Sequence, residues 1–189
     1  MRSGDIKTVL LALATAIGGG ALILKIKPYI AKRFNTWGHA IEYASDGGFQ
    51  QAHVLTYLAS GGLFGVGIGN GFLKYVFASE SDLVFGIVCE ELGIIVGFVL
   101  IIAILCLAIY TRDIATRSRS TFYSISACCA AGLFIVQMSL NVFGATDILP
   151  LTGVTFPFVS AGGSSMISCW GLLAFIKAAD ERTYSQKRG

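Results

Sequence analysis

The chain has 189 residues, of which 54% are hydrophobic and only 13% charged, and its mean hydropathy is +0.72. A soluble domain carries about a quarter charged residues, so this composition excludes a disordered, collagenous or nucleic-acid-binding protein and indicates a lipid bilayer as the solvent. The net charge is only +3, from 14 Lys and Arg against 11 Asp and Glu, so the positions of the basic residues matter more than their sum.

Four apolar segments are long enough for membrane-spanning helices, each of which needs roughly 20 residues. They lie at about residues 8–24, 83–110, 122–143 and 161–176. We therefore predict an all-α, polytopic integral membrane protein with four transmembrane helices, in which residues 1–189 form a single membrane domain. We expect the first segment to be retained as a helix, because lysines follow it where a signal peptide would carry small residues.

The distribution of basic residues predicts the orientation of these helices. Nine Lys and Arg residues lie before the first helix, between the second and third, or after the fourth, whereas residues 144–160 contain none. The positive-inside rule then places both termini in the cytoplasm. Residues 25–82 become one large extracytoplasmic loop, and a loop of this length between two spans is normally functional or separately folded.

Two patterns that could suggest ligand sites have simpler explanations. The glycine-rich segment Gly61–Gly71 lacks the Lys-Ser/Thr pair and the βαβ context of a nucleotide-binding loop, so it predicts close backbone approach or a re-entrant turn. The five cysteines lie in apolar runs without zinc-type spacing, and His39 and His53 are isolated. The sequence therefore predicts no metal site.

Three carboxylates lie near the start of the second apolar segment. Asp82 stands at its outer mouth, where spacing alone favours a helix N-cap, a position that Ser81 could also fill, or a first-turn acid. Glu90 and Glu91 lie about 12 Å further along a helix, at a depth where a carboxylate is costly unless it pairs or lines a wet cavity. Both a structural hydrogen bond to a neighbouring helix and a contact with substrate stay open for these two residues.

Polar residues also mark the last two apolar segments. Gln137 and Asn141 are four residues apart on one face of the third helix, which predicts hydrogen bonds between helices before any substrate contact. Asp147 is expected to be a solvated turn residue. The segment Leu149–Ser165 holds two prolines and three glycines, which predicts a re-entrant or hinge turn before the last span.

Several motifs together resemble the SEDS family of shape, elongation, division and sporulation proteins, which includes FtsW, RodA and SpoVE. Leu149–Ser165 is similar to the family's LPxTGxxxPFxSxGGSS turn before its last helix. Residues 81–93 are similar to its TDFIFA…EELG, Gly48–Gln50 to its GYQ, and Gly61–Gly71 to its GGLFGxGxGNG. The stretch Lys27–Arg33 resembles the beginning of its large external loop. The resemblance covers nearly the whole chain in the family's order.

The resemblance implies a peptidoglycan glycosyltransferase of the bacterial cytoplasmic membrane, which polymerises lipid II beside a class B penicillin-binding transpeptidase. The family's catalytic aspartate falls on Asp82, and this assignment overrides the helix-terminus interpretation. The carboxylate would accept a proton from the acceptor sugar's 4-hydroxyl, which displaces undecaprenyl pyrophosphate from the donor with inversion. A basic side chain, Arg33 or Lys74, would balance the leaving pyrophosphate. The resemblance implies supporting substrate contacts at Arg33, Gln50, Lys74, Glu90, Glu91, Ser160 and Ser164.

The chain also departs from the family pattern. Family members have ten spans, and the four predicted here correspond to the last four. We therefore expect the carboxyl-terminal half of such a protein, as a fragment, as one half of a split protein or as the remnant of a truncated gene, and we do not expect it to be active alone. Val76–Ala78 replaces the family's LPE, and Ala161 replaces the tyrosine of its SYGGSS motif, which indicates a divergent branch. No cofactor is expected, although oxygen ligands for a divalent cation are available without an evident cage.

Two other functions stay open at the level of the sequence. One is a non-catalytic membrane partner, or a remnant of a SEDS protein, that docks on a transpeptidase. The other is a transporter of a lipid-linked precursor. Transporters carry substrate groups near mid-membrane, at broken helices in repeated halves. The chain shows no internal repeat, and its carboxylate pair lies toward the outer end of a span, so the pattern disfavours transport.

Overall fold

A computed structural model describes residues 6–26, 33–118 and 120–185 of the chain. Within these ranges the regular structure is helical and contains no β-strand, which confirms the predicted all-α class. In chain order the helices are α1 (Ile6–Ile26), α2 (Phe49–Gly61), a 3-10 helix (Leu73–Tyr75), α3 (Ser79–Asp82), α4 (Val84–Leu92), α5 (Ile94–Arg117), α6 (Thr121–Ala145) and α7 (Gly163–Ser185). Six basic residues of the sequence lie outside the described residues: Arg2, Lys27, Lys32, Arg119, Lys187 and Arg188.

The last helix is longer than its apolar segment. The helix predicted over 161–176 begins at Gly163 and continues to Ser185. The additional stretch reads KAADERTYS, in which Lys, Ala, Glu and Arg all have high helix propensity. The loss of hydropathy that ended the predicted span therefore does not end the helix. By contrast, α1 and α6 extend only two residues or fewer beyond the predicted bounds at either end.

The structure corrects the single helix predicted over 83–110, which is divided into α4 and α5 at Gly93. Gly93 has φ of +91° and ψ of 160°, a conformation that side chains of L-residues rarely adopt. A Cβ atom at this position would lie 2.2 Å from the carbonyl oxygen of Leu63, so the two chain segments can meet only at a glycine. The apolar run hides this break because hydropathy carries no information on φ.

The glycine-rich segment Gly61–Gly71 wraps around the break between α4 and α5. The end of a helix leaves carbonyl groups without partners inside the helix. Here the amides of Val66 and Gly67 donate to the carbonyl oxygens of Glu90 and Glu91, over 2.9 and 3.0 Å. The amide of Ile94, at the start of α5, donates in turn to the carbonyl oxygen of Gly62 over 3.1 Å. These contacts agree with the prediction of close backbone approach.

Helices α5 and α6 are long and apolar enough to cross a membrane, by length and composition. They pack along each other, and α7 packs against α6. Many large apolar side chains of α5 point away from the rest of the chain, among them Phe98, Val99 and Ile102, each more than half exposed. An apolar surface of this kind suits contact with lipid chains.

Two clusters of buried apolar side chains hold the helices together. The larger joins α4, α5, α6 and α7 and includes the buried ring of Phe134. The smaller connects α2, the 3-10 helix and the end of α6 through Val54, Leu73, Leu83 and Ala145, each fully buried. Because Leu83 directly follows Asp82, the smaller cluster anchors the chain at the residue that the resemblance marks as catalytic.

Candidate functional site

Asp82 is the last residue of the four-residue helix α3, just before the chain turns at Leu83 into α4. Its side chain is half-buried, and Oδ1 accepts a hydrogen bond from the Ser81 hydroxyl over 2.7 Å. Among the described residues, no cationic side chain pairs with it. The N-cap residue of α4 is Leu83, which makes no side-chain cap. Neither Asp82 nor Ser81 therefore caps α4, whereas the alternative of a first-turn acid holds in part, because Asp82 lies in the single turn of the short helix α3.

The backbone around Asp82 is held by three donors from remote parts of the chain. A helix as short as α3 leaves its final carbonyl groups without partners. The carbonyl of Glu80 accepts from the Ala161 amide over 2.9 Å. The carbonyl of Ser81 accepts from the Ser160 hydroxyl over 2.6 Å, and that of Asp82 from Asn141 Nδ2 over 2.9 Å. All three carbonyl groups are satisfied, so the orientation of α3 is set by the turn before α7 and by α6.

Asn141 confirms the prediction of a hydrogen-bonding role on the third long helix. It is 1% exposed, and Nδ2 donates to the carbonyl of Val154 over 2.8 Å as well as to that of Asp82. It therefore links α3 to the irregular segment before α7. Gln137, four residues earlier, makes no comparable link through its carbonyl, because its buried Oε1 has no hydrogen-bond partner.

The irregular segment before α7 is itself rigidly built. Ser160 is only 3% exposed, and its hydroxyl oxygen also accepts a hydrogen bond from the Phe156 amide over 2.8 Å. Phe158 has φ of +62°, a conformation that costs a bulky residue roughly 1–3 kcal/mol. Its ring lies 5.1 Å from that of Phe134 and 5.6 Å from that of Trp170, and this packing maintains the strained turn. The segment thus matches the predicted turn before the last span.

Gly153 belongs to the same irregular segment and lies against the Asp82 carboxylate. Its φ is +72°, in the left-handed region that favours glycine. A Cβ atom here would lie 3.1 Å from Asp82 Oδ2. The absence of a side chain at position 153 therefore leaves room for this carboxylate oxygen.

A polar crevice opens beside α3, with a volume of about 330 Å³. Its walls are Lys74, Val76, the stretch 78–81 and Ala161. Lys74 Nζ donates to the carbonyl of Gly69 and lies 5.3 Å from the centre of the Tyr75 ring. The crevice therefore combines the cationic side chain of Lys74, the exposed carboxylate of Glu80 and the two serines of α3, Ser79 and Ser81, that precede Asp82.

Two further predicted contact residues hold the surrounding loops. Gln50, which is half-buried, donates through Nε2 to the carbonyl of Phe77 over 2.8 Å and so ties α2 to the segment before α3. Arg33 donates to the carbonyl of Leu151 over 2.6 Å, two residues before Gly153. Arg33 is therefore bonded to the same irregular segment that contains Gly153.

Glu90 occupies a structural position in this fold. It is 1% exposed, and its two oxygens accept from the amides of Phe72 and Leu73 over 2.7 and 2.9 Å. These donors lie at the beginning of the 3-10 helix, whose first amides have no partners inside the helix. The geometry favours the structural hydrogen bond over substrate contact, and the donors are backbone amides at the N-terminus of the neighbouring 3-10 helix. Glu91 is half-buried beside Gly71.

The sequence analysis missed a buried polar link formed by Gln51 and Asp147. Gln51 Nε2 donates to the carbonyl of Gly144 over 2.9 Å and to Asp147 Oδ1 over 3.1 Å. Asp147 also accepts from the amides of Gly38 and Ala40, over 3.1 and 3.0 Å. The expectation of a solvated turn residue is therefore wrong. No local signal marks either residue, because the partners lie about a hundred positions apart.

Two further features were considered as parts of the site, namely Ser164 and a group of side chains that could hold a metal ion. Ser164 is exposed in the first turn of α7. No group of three or more His, Cys, Asp or Glu that could hold a metal ion occurs in the part of the chain that the structure describes. The arrangement offers instead one half-exposed carboxylate on a fixed backbone, which is suited to accepting a proton.

Comparison with known proteins identifies one family. The FtsW, RodA and SpoVE model, described as a cell cycle protein, matches residues 2–185. The chain is 37% identical to a probable peptidoglycan glycosyltransferase FtsW of Lactococcus lactis subsp. lactis, over 95% of this chain and 46% of that protein. It is 32% identical to the stage V sporulation protein E of Bacillus subtilis, over 84% and 43%, and 29% identical to the peptidoglycan glycosyltransferase RodA of Mycobacterium leprae, over 89% and 36%.

The chain spans less than half the length of each of these relatives. The matched residues nevertheless include every helix described here, as well as the irregular segment before α7. Two apolar helices of membrane-spanning length agree with the membrane location that the family indicates. The chain therefore belongs to the FtsW, RodA and SpoVE family of cell cycle proteins.

Proposed function

We propose that this chain carries the proton-accepting aspartate of a peptidoglycan glycosyltransferase that polymerises lipid II in cell wall synthesis. The observation that carries the proposal is the geometry of Asp82, a half-exposed carboxylate on a backbone that three remote donors hold in place. Preorganised groups of this kind are what general base catalysis requires. The printed names of the FtsW and RodA relatives, peptidoglycan glycosyltransferases, support the reaction class.

The chemistry proposed for Asp82 is a single displacement. Its carboxylate accepts the proton of the acceptor sugar's 4-hydroxyl as that oxygen forms a bond to the anomeric carbon of the donor. The bond from this carbon to the diphosphate breaks, and undecaprenyl diphosphate leaves with its electron pair, with inversion at the carbon. The Ser81 hydroxyl holds Oδ1, and Oδ2, beside Gly153, is the oxygen that takes the proton.

The surroundings of Asp82 suggest where the two substrates bind. The polar crevice beside α3 is of a size and polarity suited to a sugar. The charge of the leaving diphosphate is balanced by a basic side chain, for which Arg33 and Lys74 are the candidates. The proposed contacts of Gln50, Glu91 and Ser164 stay predictions. For Glu90 and Ser160, a substrate contact would have to replace the backbone hydrogen bonds they already make.

The membrane arrangement is part of the proposal. Four spans with both termini in the cytoplasm put Asp82 and its crevice at the outer face of the membrane, where the disaccharide of lipid II is polymerised. The two apolar helices α5 and α6, joined by a short basic loop, support this orientation. Partners of the chain are a separate amino-terminal half and a class B penicillin-binding transpeptidase.

The test is reconstitution in proteoliposomes with fluorescent lipid II. The chain is assayed alone, with the amino-terminal half of the Lactococcus lactis relative, and with a class B transpeptidase added. We expect polymer only when the other half is present. Asp82→Asn should lower the polymerisation rate about 100-fold or more, because it removes the general base without changing the size of the side chain.

The matched control is Asp113→Asn, the same chemical change at an exposed position on α5. Asp113 pairs with Arg117 over 2.8 Å within the helix, an exposed pair that contributes at most about 0.5 kcal/mol. This variant should keep the native rate. Equal rates for Asp82→Asn and the native chain would remove the catalytic assignment and favour the non-catalytic membrane partner.

A further inference from the structure

The glycine-rich segment Gly61–Gly71 carries large apolar side chains that no other part of the described chain covers. Phe64 is 82% exposed, Ile68 80% and Leu63 60%. No Lys, Arg, Asp or Glu occurs in residues 47–73, so no charged side chain accompanies them. Exposed apolar side chains that cluster in this way mark a surface that contacts a protein or a membrane.

The backbone of this segment is turned toward the junction of α4 and α5. The amides of Gly65, Val66 and Gly67 donate to main-chain carbonyls of α2 and α4, over 2.8, 2.9 and 3.0 Å. A Cβ atom at Gly65 would lie 2.2 Å from the carbonyl oxygen of Glu91, so the main chain is in direct contact with the end of α4. The segment therefore covers polar main-chain groups and presents apolar side chains, as irregular chain must do at membrane depth.

The length of α5 sets the depth of this segment in the membrane. Counted from the N-terminus of α5, the first charged side chain is that of Arg112. A hydrocarbon core of about 30 Å takes about 20 residues of a straight helix at 1.5 Å per residue, and about 20 residues before Arg112 lies position 92. The next residue, Gly93, is the one on which the carbonyl of Leu63 packs. Residues 63–68 therefore lie at the edge of the hydrocarbon core, and a tilt of α5 would place them deeper.

The size of the exposed side chains favours lipid over a second protein. Contacts between helices in a membrane favour small residues that let backbones approach closely. Here the glycines at 65 and 67 are used for contacts with α4, and the side chains left exposed at 63, 64 and 68 are large. The exposed apolar surface of α5 begins directly after the junction, with Ile95 and Phe98 at 45% and 57%. Acyl chains can cover both surfaces.

We infer that Gly61–Gly71 is a shallow re-entrant loop whose exposed side chains, Leu63, Phe64 and Ile68, insert among the acyl chains of one leaflet. Lys74 is the first charged residue after the loop; its Nζ donates to the carbonyl of Gly69 and lies 5.3 Å from the centre of the exposed Tyr75 ring. Basic and aromatic side chains are typical of the headgroup level. The lipid surface thus becomes an anchor for the end of α4, and the inference rests on α5 crossing the membrane and not on the reaction proposed for Asp82.

The experiment places a fluorophore on the loop and asks what surrounds it. Phe64→Cys and Ile68→Cys are made separately in a variant without the five native cysteines and labelled with nitrobenzoxadiazole. The full chain is reconstituted in phospholipid vesicles. One quencher is phosphatidylcholine with a nitroxide near the carbonyl end of an acyl chain, and the other is iodide, present on both sides of the membrane. At both positions we expect the lipid nitroxide to quench about threefold more than iodide, as for a side chain at the boundary of headgroups and acyl chains.

The matched control is Ser45→Cys, an exposed position in the same segment between α1 and α2, next to the charged Asp46. It should show the reverse order, with iodide as the stronger quencher. All three labelled chains are then measured again with the amino-terminal half of the Lactococcus lactis relative in the same vesicles. Quenching by the lipid nitroxide at positions 64 and 68 should not change.

The outcomes separate lipid from the other two environments. Iodide quenching of positions 64 and 68 as strong as that of position 45 would place the loop in water. Resistance to both quenchers, or loss of lipid quenching once the amino-terminal half is present, would mean that protein covers the loop. Each of these results overturns the inference. The comparison of Asp82→Asn with Asp113→Asn is independent of them, so the proposed function and this inference can fail separately.

Discussion

At the scale of single residues, the chemistry around Asp82 depends on neighbours that carry no charge. Gly153 leaves room for Oδ2, Ser81 holds Oδ1, and Asn141 fixes the main chain of Asp82 itself. Each of these contacts limits the freedom of the carboxylate without neutralising it. For the general base that we propose, such an arrangement means that little reorganisation is needed when the proton is transferred.

The close approach of Gly153 to Asp82 can be tested with Gly153→Ala. Placing alanine at φ of +72° costs about 1–2 kcal/mol, and its Cβ would displace Oδ2 from its present position. We expect the free energy of unfolding and the polymerisation rate both to fall. Gly132→Ala is the control, because a Cβ there has open space within α6 and should stabilise the helix by up to about 1 kcal/mol. A full polymerisation rate for Gly153→Ala would show that the close approach has no role.

Asn141 is expected to act on the reaction as a positioning residue. Asn141→Leu leaves the buried carbonyls of Asp82 and Val154 without a donor, at about 1–3 kcal/mol each. We expect kcat to fall by a larger factor than KM for lipid II changes, because Asp82 moves while the walls of the polar crevice stay in place. Gln137→Met should change the free energy of unfolding by less than about 1 kcal/mol, because it removes a buried oxygen that already lacks a partner. Similar kcat values for these two variants would contradict the positioning role.

At the scale of the elements, the region before α5 is built from short helices whose ends are satisfied by other segments. The glycine-rich segment supplies amides to the end of α4, and the turn before α7 supplies donors to the end of α3. Short helices have little stability alone, so these contacts decide their orientation. The reaction site proposed here is therefore assembled from helix ends and not from helix faces.

The variant Glu90→Gln tests whether Glu90 has a structural role in this assembly or contacts lipid II. Glu90→Gln puts an amide N–H₂ group against the amides of Phe72 or Leu73, so one buried donor loses its acceptor. We expect the free energy of unfolding to fall by about 1–3 kcal/mol. Glu91→Gln, at a half-buried neighbouring position, should have a much smaller effect. Native stability of Glu90→Gln combined with loss of lipid II binding would instead support the substrate contact.

At the scale of the whole molecule, the chain presents an apolar exterior along α5 and α6 and a polar assembly at one end. Lipid chains can cover the first but not the second, because exposed backbone and carboxylates are costly in hydrocarbon. The polar crevice lies beside α3, and a separate apolar cavity lies beside residues 149–152.

The orientation in the membrane can be measured with single cysteines introduced into a variant without the five native ones. Ser45→Cys lies in the segment between α1 and α2, and Thr116→Cys lies at the end of α5; both positions are exposed. A membrane-impermeant maleimide added outside intact cells should label residue 45 and not residue 116. Labelling of residue 116 alone would place Asp82 on the cytoplasmic side and overturn the proposed reaction.

The sequence by itself determined the all-α class, the extent of α1 and α6 and the family, and its motifs predict the role of Asp82 that we propose. Periodicity and composition are local properties, and these features depend on local properties. The sequence did not reveal the break at Gly93, because the positive φ of a single glycine cannot be inferred from its position in an apolar run.

Only the tertiary structure decided how Asp82 is held and what lies beside it. Ser160 and Ser81 are 79 positions apart, and Asn141 and Asp82 are 59 positions apart. A hydrogen bond across such a separation depends on how the helices pack, and no pattern along the chain encodes it. The same reason hid the link between Gln51 and Asp147 and the apolar cavity beside residues 149–152, since both exist only where two remote segments meet.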